Sequence, residues 1–217
     1  VAKLSLYEES FLRSFHHFIG NPTDYTILSL LPSYAEREGS SLIYMMQTLI
    51  QLSNHPLSDF YLYNLDELVA NLQLLSSKKQ KTVLWGVSFA LLDLIEKYTV
   101  HFPDLIVFET GGMKGKRKEI IREELHTYLI NGLGVDKIYS EYGMTELLSQ
   151  AYSLGDKKFH TPPWMKIYIR DLYNPLHVYA DYDKNGGVNI IDLANLYSCS
   201  FIATQDIGIC HNDTSFE

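Results

Sequence analysis

From Val1 to Ile19 apolar residues recur at helical spacing: Leu4, Tyr7, Phe11, Phe15 and Phe18, with Glu8, Glu9 and Arg13 between them. This predicts an amphipathic helix whose aromatic stripe packs into a core, ended by Asn21-Pro22. Thr26 to Leu31 is a continuous apolar run, the pattern of a strand buried on both faces. Pro32 to Gly39 then reads as a loop at that strand's C-terminal end, and Ser40 and Ser41 start a helix through Tyr44, Met45, Leu49 and Leu52. The alternation continues with a strand at Phe60–Tyr63 and a helix at Asn64–Leu75 capped by Asn64 or Asp66. After a polar turn at Ser76–Lys81 come a strand at Thr82–Trp85 and a helix at Ser88–Tyr98. A strand at Leu105–Glu109, a turn at Gly111-Gly112, a helix at Arg117–Ile130 and a strand at Val135–Tyr139 follow. Strand–helix units at this spacing predict right-handed crossovers and a mostly parallel sheet with flanking helices.

After Ser153 the texture changes. Tyr152 to Pro163 carries glycine and paired prolines, and the rest reads as short β-segments: Met165–Arg170, His177–Ala180, Val188–Asp192 and Ser200–Ala203. Turns such as Lys184-Asn185-Gly186-Gly187 would join them. The expected class is therefore α/β, with residues 1–153 forming the α/β part and residues 154–217 a smaller β-rich subdomain.

Composition narrows the function. The 217 residues are 46% hydrophobic and 20% charged, as in an ordinary globular protein able to bury a core. A net charge of −8 argues against nucleic-acid binding, which needs clustered Lys and Arg. The two cysteines, Cys199 and Cys210, are too few for a disulfide framework and fit a reducing cytosol. No stretch is long and apolar enough to span a bilayer, and no signal peptide opens the chain. A cytoplasmic location is the expectation.

The densest chemistry lies in Tyr139-Ser140-Glu141-Tyr142-Gly143-Met144-Thr145-Glu146. Gly143 lets the backbone approach a ligand or take a turn closed to other residues. The Thr145 hydroxyl suits a phosphate oxygen, and the Glu146 carboxylate a hard cation such as Mg²⁺. Tyr142 offers a flat face with a polar tip to a base or an acyl group. A tight strand-to-helix turn with Thr145 as N-cap is the alternative.

Three further stretches are candidates. Gly111-Gly112-Met113-Lys114-Gly115 ends a strand and opens a helix, where a base or phosphate can lie against the backbone, although the Gly-x₄-Gly-Lys-Ser/Thr pattern is absent. Lys114, Lys116, Arg117 and Lys118 would oppose the macrodipole of that helix, so either they hold an anion or they form an exposed basic turn. Trp85, Gly86, Val87 and Phe89, just past another strand end, either wall an acyl pocket or pack the core, with Tyr34 and Arg37 on a parallel loop bordering the same cleft. Thr204-Gln205-Asp206-Ile207-Gly208 follows a strand-like run, and Asp206 alone reads as a turn residue. The histidines are scattered without metal-ligand spacing, and neither cysteine sits in a recognisable nucleophile site.

Tyr142-Gly-Met-Thr-Glu146 resembles the core motif of adenylate-forming enzymes: acyl-CoA synthetases, firefly-type luciferases and peptide-synthetase adenylation domains. Together with Leu31-Pro-Ser-Tyr-Ala-Glu-Arg-Glu-Gly-Ser-Ser, Trp85-Gly-Val-Ser-Phe-Ala-Leu-Leu-Asp and Glu109-Thr-Gly-Gly-Met-Lys-Gly-Lys, it is most similar to the acyl-protein synthetase family, whose namesake is the ligase subunit of the bacterial bioluminescence fatty-acid reductase complex. The resemblance implies that Thr145 contacts the α-phosphate of ATP and Glu146 binds Mg²⁺. It puts Gly111, Gly112, Met113, Ser140 and Glu141 at the adenine, with Tyr142, Gly143 and Met144 completing the nucleotide motif. Thr204-Gln205-Asp206 is similar to the Thr-Gly-Asp segment whose aspartate grips both ribose hydroxyls, with Gln205 in place of the usual glycine. That family carries its acyl group on a cysteine nearer the C-terminus than Cys199 or Cys210.

The resemblance also implies a large N-terminal domain lacking two parts: a phosphate loop expected before Val1, and a hinge and lysine-bearing domain expected after Glu217. The segment alone is expected to be inactive. The implied reaction activates a carboxylic acid, fatty (long-chain) or aryl, as an acyl-adenylate and passes it to a thiol, either CoA or a cysteine of an acceptor protein or reductase subunit. A non-catalytic nucleotide- or partner-binding module is the rival, and a nucleotide-dependent sugar transferase a third reading.

Overall fold

The aromatic stripe at the start of the chain folds as helix α1, Leu4–Phe18. It buries Tyr7, Phe11 and Phe15 with Ser10 and Ser14, while Glu9 and Arg13 pair one turn apart on its exposed face. The computed structural model describes residues 3–32, 39–111, 117–118 and 120–217. Cα neighbours divide the chain into two units, Gly20–Ser140 and Val1–Ile19 with Glu141–Glu217.

The unit Gly20–Ser140 is built from β1 (Thr26–Leu30), α2 (Ser41–Ser53), β2 (Asp59–Phe60), α3 (Leu65–Ser77), β3 (Thr82–Val87), α4 (Ser88–Lys97), β4 (Ile106–Thr110), α5 (Arg122–Leu133) and the start of β5 (Tyr139–Tyr142). Its strands pair in the order β2-β1-β3-β4-β5, all parallel, with Leu28 opposite Asp59, Thr26 opposite Thr82, Val83 opposite Ile106 and Phe108 opposite Tyr139. Every residue of β1 and β3 is buried. That is why their sequences read as apolar runs without alternation.

Two elements depart from expectation. The helix predicted from Arg117 begins at Arg122. Arg117 instead turns its guanidinium onto Asp93 and Glu96 of α4, and both carboxylates raise its pKa further. Glu123 and Glu124 occupy the first turn of α5, where they suit the macrodipole. The cluster of cations at a helix N-terminus is therefore corrected: Arg117 is paired with acids, Lys118 lies outside the helix, and Lys114 and Lys116 fall outside the described residues. At its other end α5 runs on to Leu133 and stops at Gly134, whose φ of 67° is the left-handed cap conformation that glycine adopts without penalty. The chain needs Val135 to Ile138 to return, so the strand expected there starts later, at Tyr139. Val135 and Ile138 are buried all the same.

The second unit joins α1 to β6 (Ala151–Ser153), β7 (Phe159–His160), β8 (Met165–Arg170), β9 (Asn185–Asp192), β10 (Phe201–Asn212) and β11 (Ser215–Phe216). These pair antiparallel in the order β6-β7-β11-β10-β9-β8. β8 alternates strictly, with Met165, Ile167 and Ile169 facing a core shared with Leu147, Val188, Ile190, Cys210 and Phe216. Lys184 to Gly187, read as a turn, lies largely within β9, and Ser200 to Ala203 is only the start of the long β10. His177–Ala180 makes a single bridge, Val178 to Arg170, rather than a strand.

Candidate functional site

β5 ends at Tyr142, and the following residues form no helix. Thr145 and Glu146 sit in a turn whose Leu147 N–H reaches the Met144 carbonyl at 3.1 Å. Thr145 is thus not an N-cap, and its hydroxyl is exposed, as is the Glu146 carboxylate. Among the described residues neither side chain takes a hydrogen bond or an ion pair. Both face a groove of about 540 Å³ lined also by Leu148, Asn195, Ser198, Cys199 and Phe201.

The turn is braced from β9 and the segment beyond it. Asp192, the last residue of β9, has no exposed surface. Its carboxylate accepts from the Leu148 N–H at 2.9 Å, the Ser149 N–H at 3.0 Å, the Ser149 hydroxyl at 2.6 Å and the Ala194 N–H at 3.1 Å. The Trp164 indole N–H donates to the same Ser149 hydroxyl at 2.9 Å. Three residues on from Asp192, the Asn195 amide donates to the Glu146 carbonyl at 2.7 Å.

Tyr142 and Asp206 meet. The phenol donates to Asp206 Oδ2 at 2.6 Å across 64 positions of sequence. Burial first and then the Asp206 carboxylate push the phenol well above its ordinary pKa, so it stays a donor. Its ring packs on Phe159 and Phe216, with centroids at 5.7 and 5.3 Å. Asp206 is delivered by an irregularity. Between Ala203 and Ile207 the pairing of β10 with β9 shifts, so that Thr204, Gln205 and Asp206 stand opposite Val188 alone. Bulges of this kind re-aim side chains. The Arg170 guanidinium staples this one, donating to the Val188 carbonyl at 2.8 Å, Asn189 Oδ1 at 2.8 Å and the Thr204 carbonyl at 2.6 Å. The Thr204 hydroxyl accepts from the Asp206 N–H at 3.1 Å.

In the other unit Ser140 is buried, and its hydroxyl donates to Glu109 Oε1 at 2.7 Å. Ser88 donates to Glu109 Oε2 at 3.1 Å, and His126 Nε2 stands 3.5 Å from Oε1. Burial alone would raise the Glu109 pKa, but the His126, Ser140 and Ser88 contacts outweigh it and leave it lowered. The same His126 nitrogen faces both Ser140 and Glu109, so the trio is a polar knot holding Ser140 and not a proton relay.

Gly111 follows β4 with φ 77°, a conformation that needs glycine. Gly112, Met113, Tyr34 and Arg37 lie outside the described residues. Trp85 is fully buried in β3, stacked on Phe108 at 4.2 Å, with Gly86 and Val87 buried beside it. Gly86 leaves no room for a side chain, since a Cβ would stand 2.9 Å from Leu91 Cγ. Glu141 is half-buried, Gly143 exposed and Met144 packed on the core of its unit. The sequence reading passed over Asp192, Asn195, Arg170, Glu109 and His126. Only an acid and an amide ending an apolar strand, Asp192-Leu-Ala-Asn195, hinted at any of them.

No described group of three or more His, Cys, Asp or Glu side chains could cage a metal. Among the described residues the Glu146 carboxylate and Thr145 hydroxyl have no side-chain partner, a donor set that could hold Mg²⁺, because that ion takes one or two carboxylates and completes its shell with phosphate oxygens and water.

No family model matches the chain, and no curated protein does. Solved structures do. An ATP-bound RpMatB–BxBclM chimera matches over 98% of the chain and 43% of its own, with TM-score 0.67 and 12% identity. O-succinylbenzoate coenzyme A synthetase (MenE) from Bacillus subtilis, in complex with ATP and magnesium ion, matches over 99% of the chain and 45% of its own, with TM-score 0.60 and 14% identity. McyG A-PCP complexed with phenylalanyl-adenylate matches over 98% and 42%, with TM-score 0.58 and 14% identity. The chain thus shares its fold with part of each of these structures, and it spans less than half of their length.

Proposed function

We propose that the chain belongs to an ATP-dependent carboxylic acid ligase that works through an acyl-adenylate. The observation that carries this is the Tyr142–Asp206 hydrogen bond on an adenylate-forming fold. It brings the two segments with nucleotide-binding character to one place, although 64 positions separate them. Asp206 keeps its second carboxylate oxygen for ribose hydroxyls. Thr145 donates to an α-phosphate oxygen and Glu146 holds Mg²⁺, which supplies neutralisation of the polyphosphate charge when bound. By the resemblance we assign Gly111, Gly112, Met113, Ser140 and Glu141 to the adenine, and Tyr142, Gly143 and Met144 to the rest of the nucleotide motif. We assign Trp85, Gly86, Val87 and Tyr34 to the acid; of these Trp85 is fully buried.

An acid oxygen attacks the α-phosphorus, the bond to pyrophosphate breaks, and a thiol then displaces AMP from the acyl carbon. Positioning and charge stabilisation carry most of the catalysis. We assign the acid to the apolar class, long-chain fatty or aryl, and the acceptor to a thiol of CoA or of a protein such as a reductase subunit, in the manner of acyl-protein synthetases. The test is acid-dependent ATP–pyrophosphate exchange by the full-length protein. Exchange with medium or long fatty acids or aryl acids well above that with acetate is expected, and equal rates with acetate would overturn the acid class. Nucleotide binding without any exchange would favour a non-catalytic module.

A further inference from the structure

Asp192 is a carboxylate with no exposed surface, and the reaction above does not use it. Burying such a charge is costly unless donors surround it. Here four do, and three of them belong to Leu148 and Ser149, two and three residues after Glu146. Apolar packing alone would stabilise the fold as well as a buried ion does. What a carboxylate adds at this place is direction: two backbone N–H groups of the turn must point at it.

Asn195 acts on the same turn from the same side. It is 1% exposed, and its amide donates to the Glu146 carbonyl at 2.7 Å. Its own geometry is fixed. The Asn195 N–H reaches the Asp192 carbonyl at 3.1 Å, the Ser198 hydroxyl donates to Asn195 Oδ1 at 2.8 Å, and the Ser200 hydroxyl donates to the Asn195 carbonyl at 3.1 Å. The backbone from Glu146 to Ser149 is therefore gripped by two side chains, while the Thr145 and Glu146 side chains line the groove with no hydrogen-bond partner among the described residues. A metal ligand needs just this arrangement, a side chain available and a backbone that cannot move.

We propose that Asp192 and Asn195 are positioning residues that fix the orientation of Glu146 for a magnesium-bound polyphosphate. This rests on the reading of Glu146 as the magnesium ligand. They touch neither metal nor nucleotide and act through the Glu146–Ser149 backbone.

The experiment uses the full-length protein with Asn195→Ala, Asn195→Asp, which turns the donor into an acceptor facing the Glu146 carbonyl, and Asp192→Asn. Three quantities are measured: affinity for a non-hydrolysable ATP analogue with and without Mg²⁺ by calorimetry, the Mg²⁺ concentration for half-maximal exchange, and the melting temperature. Loss of a residue that orients a metal ligand raises the metal requirement by roughly 10–100-fold. We expect that rise for Asn195→Ala and a larger one for Asn195→Asp, with metal-free AMP affinity, which depends on Asp206, unchanged. The Asn195 variants, each losing a buried hydrogen bond, should still melt cooperatively with a midpoint lowered by a few degrees, even if Asp192→Asn fails to fold. An unchanged magnesium requirement in both Asn195 variants would overturn the proposal while leaving the ligase reading intact. Parallel loss of magnesium-dependent and metal-free binding would also overturn it, because that marks general loosening. If the wild type binds no ATP at all, the ligase reading fails and takes this proposal with it.

Discussion

Asp206 has one oxygen committed to Tyr142 and, among the described residues, no partner on the other, and that asymmetry sets what substitution should do. Asp206→Ala should weaken binding of a stable acyl-sulfamoyl adenosine by about 1.5–3 kcal/mol, the scale of a lost hydrogen bond to a charged group. Tyr142→Phe removes only the orienting donor and should cost less. Equal affinity of Asp206→Ala and wild type would take Asp206 out of the site. Glu109 calls for a different measurement, because its contribution depends on pH. Its folded pKa is lowered, so the stability it contributes is full above its unfolded pKa of about 4.3 and is lost as pH falls through the folded value. Glu109→Gln should therefore destabilise at neutral pH and flatten the acid limb of the melting curve. A mutant that loses stability toward low pH as steeply as the wild type would show that other carboxylates set that limb. Tyr142, Thr145 and Glu146 stood out by side-chain type and Asp206 only through the resemblance, and the structure shows that Tyr142 and Asp206 meet. Asp192, Asn195, Arg170 and His126 did not stand out, because their meaning lies in partners such as Leu148, 44 positions before Asp192.

Elements whose sequence period matched their surroundings were legible to within a few residues. α1 carries a helical stripe, β8 a two-residue alternation, and β1 and β3 unbroken apolar runs, and each burial pattern agrees. β9 and β10 were read as fragments because two features hide their periodicity. Gly186 and Gly187 look like a turn, yet they are strand residues that admit a close neighbour. A Cβ on Gly186 would stand 2.2 Å from the Arg170 carbonyl oxygen, and one on Gly187 would stand 2.5 Å from Arg170 Cζ. In β10 the bulge at Thr204–Asp206 breaks the alternation outright. These features belong together, since Arg170 crosses the glycines to reach the Thr204 carbonyl. Gly186→Ala meets backbone and should destabilise by about 1–3 kcal/mol, as overpacking does. Arg170→Met should leave the pairing of β8 with β9 in place but free the bulge, weakening nucleotide binding through Asp206. Thermal melts separate the two expectations from calorimetry: a Gly186→Ala protein that melts like the wild type, or an Arg170→Met protein with full nucleotide affinity, would contradict this account of the bulge.

At the scale of the whole molecule, the chain spans 43% of the ATP-bound chimera whose fold it shares, so the proposed ligase reading makes different predictions for residues 1–217 and for a full-length protein. Within the segment lie the residues assigned to ribose, adenine and magnesium: Asp206, Ser140 and Glu146. No described helix is long and apolar enough to cross a membrane. Charge developing at the α-phosphate needs more donors than Thr145 alone, and each donor of that kind is worth roughly 10²–10³-fold in rate. Ground-state binding is more forgiving, because base and ribose contacts add to affinity whether or not the transition state is completed. Residues 1–217 by themselves should therefore retain measurable affinity for the acyl-sulfamoyl adenosine but show negligible acid-dependent ATP–pyrophosphate exchange, while the full-length protein shows it. Exchange by the segment at a rate near that of the full-length protein would mean that the catalytic groups are among these 217 residues and have been assigned to the wrong positions. Binding by both with exchange by neither would instead make Tyr142–Glu146 and Asp206 a nucleotide sensor on a ligase fold.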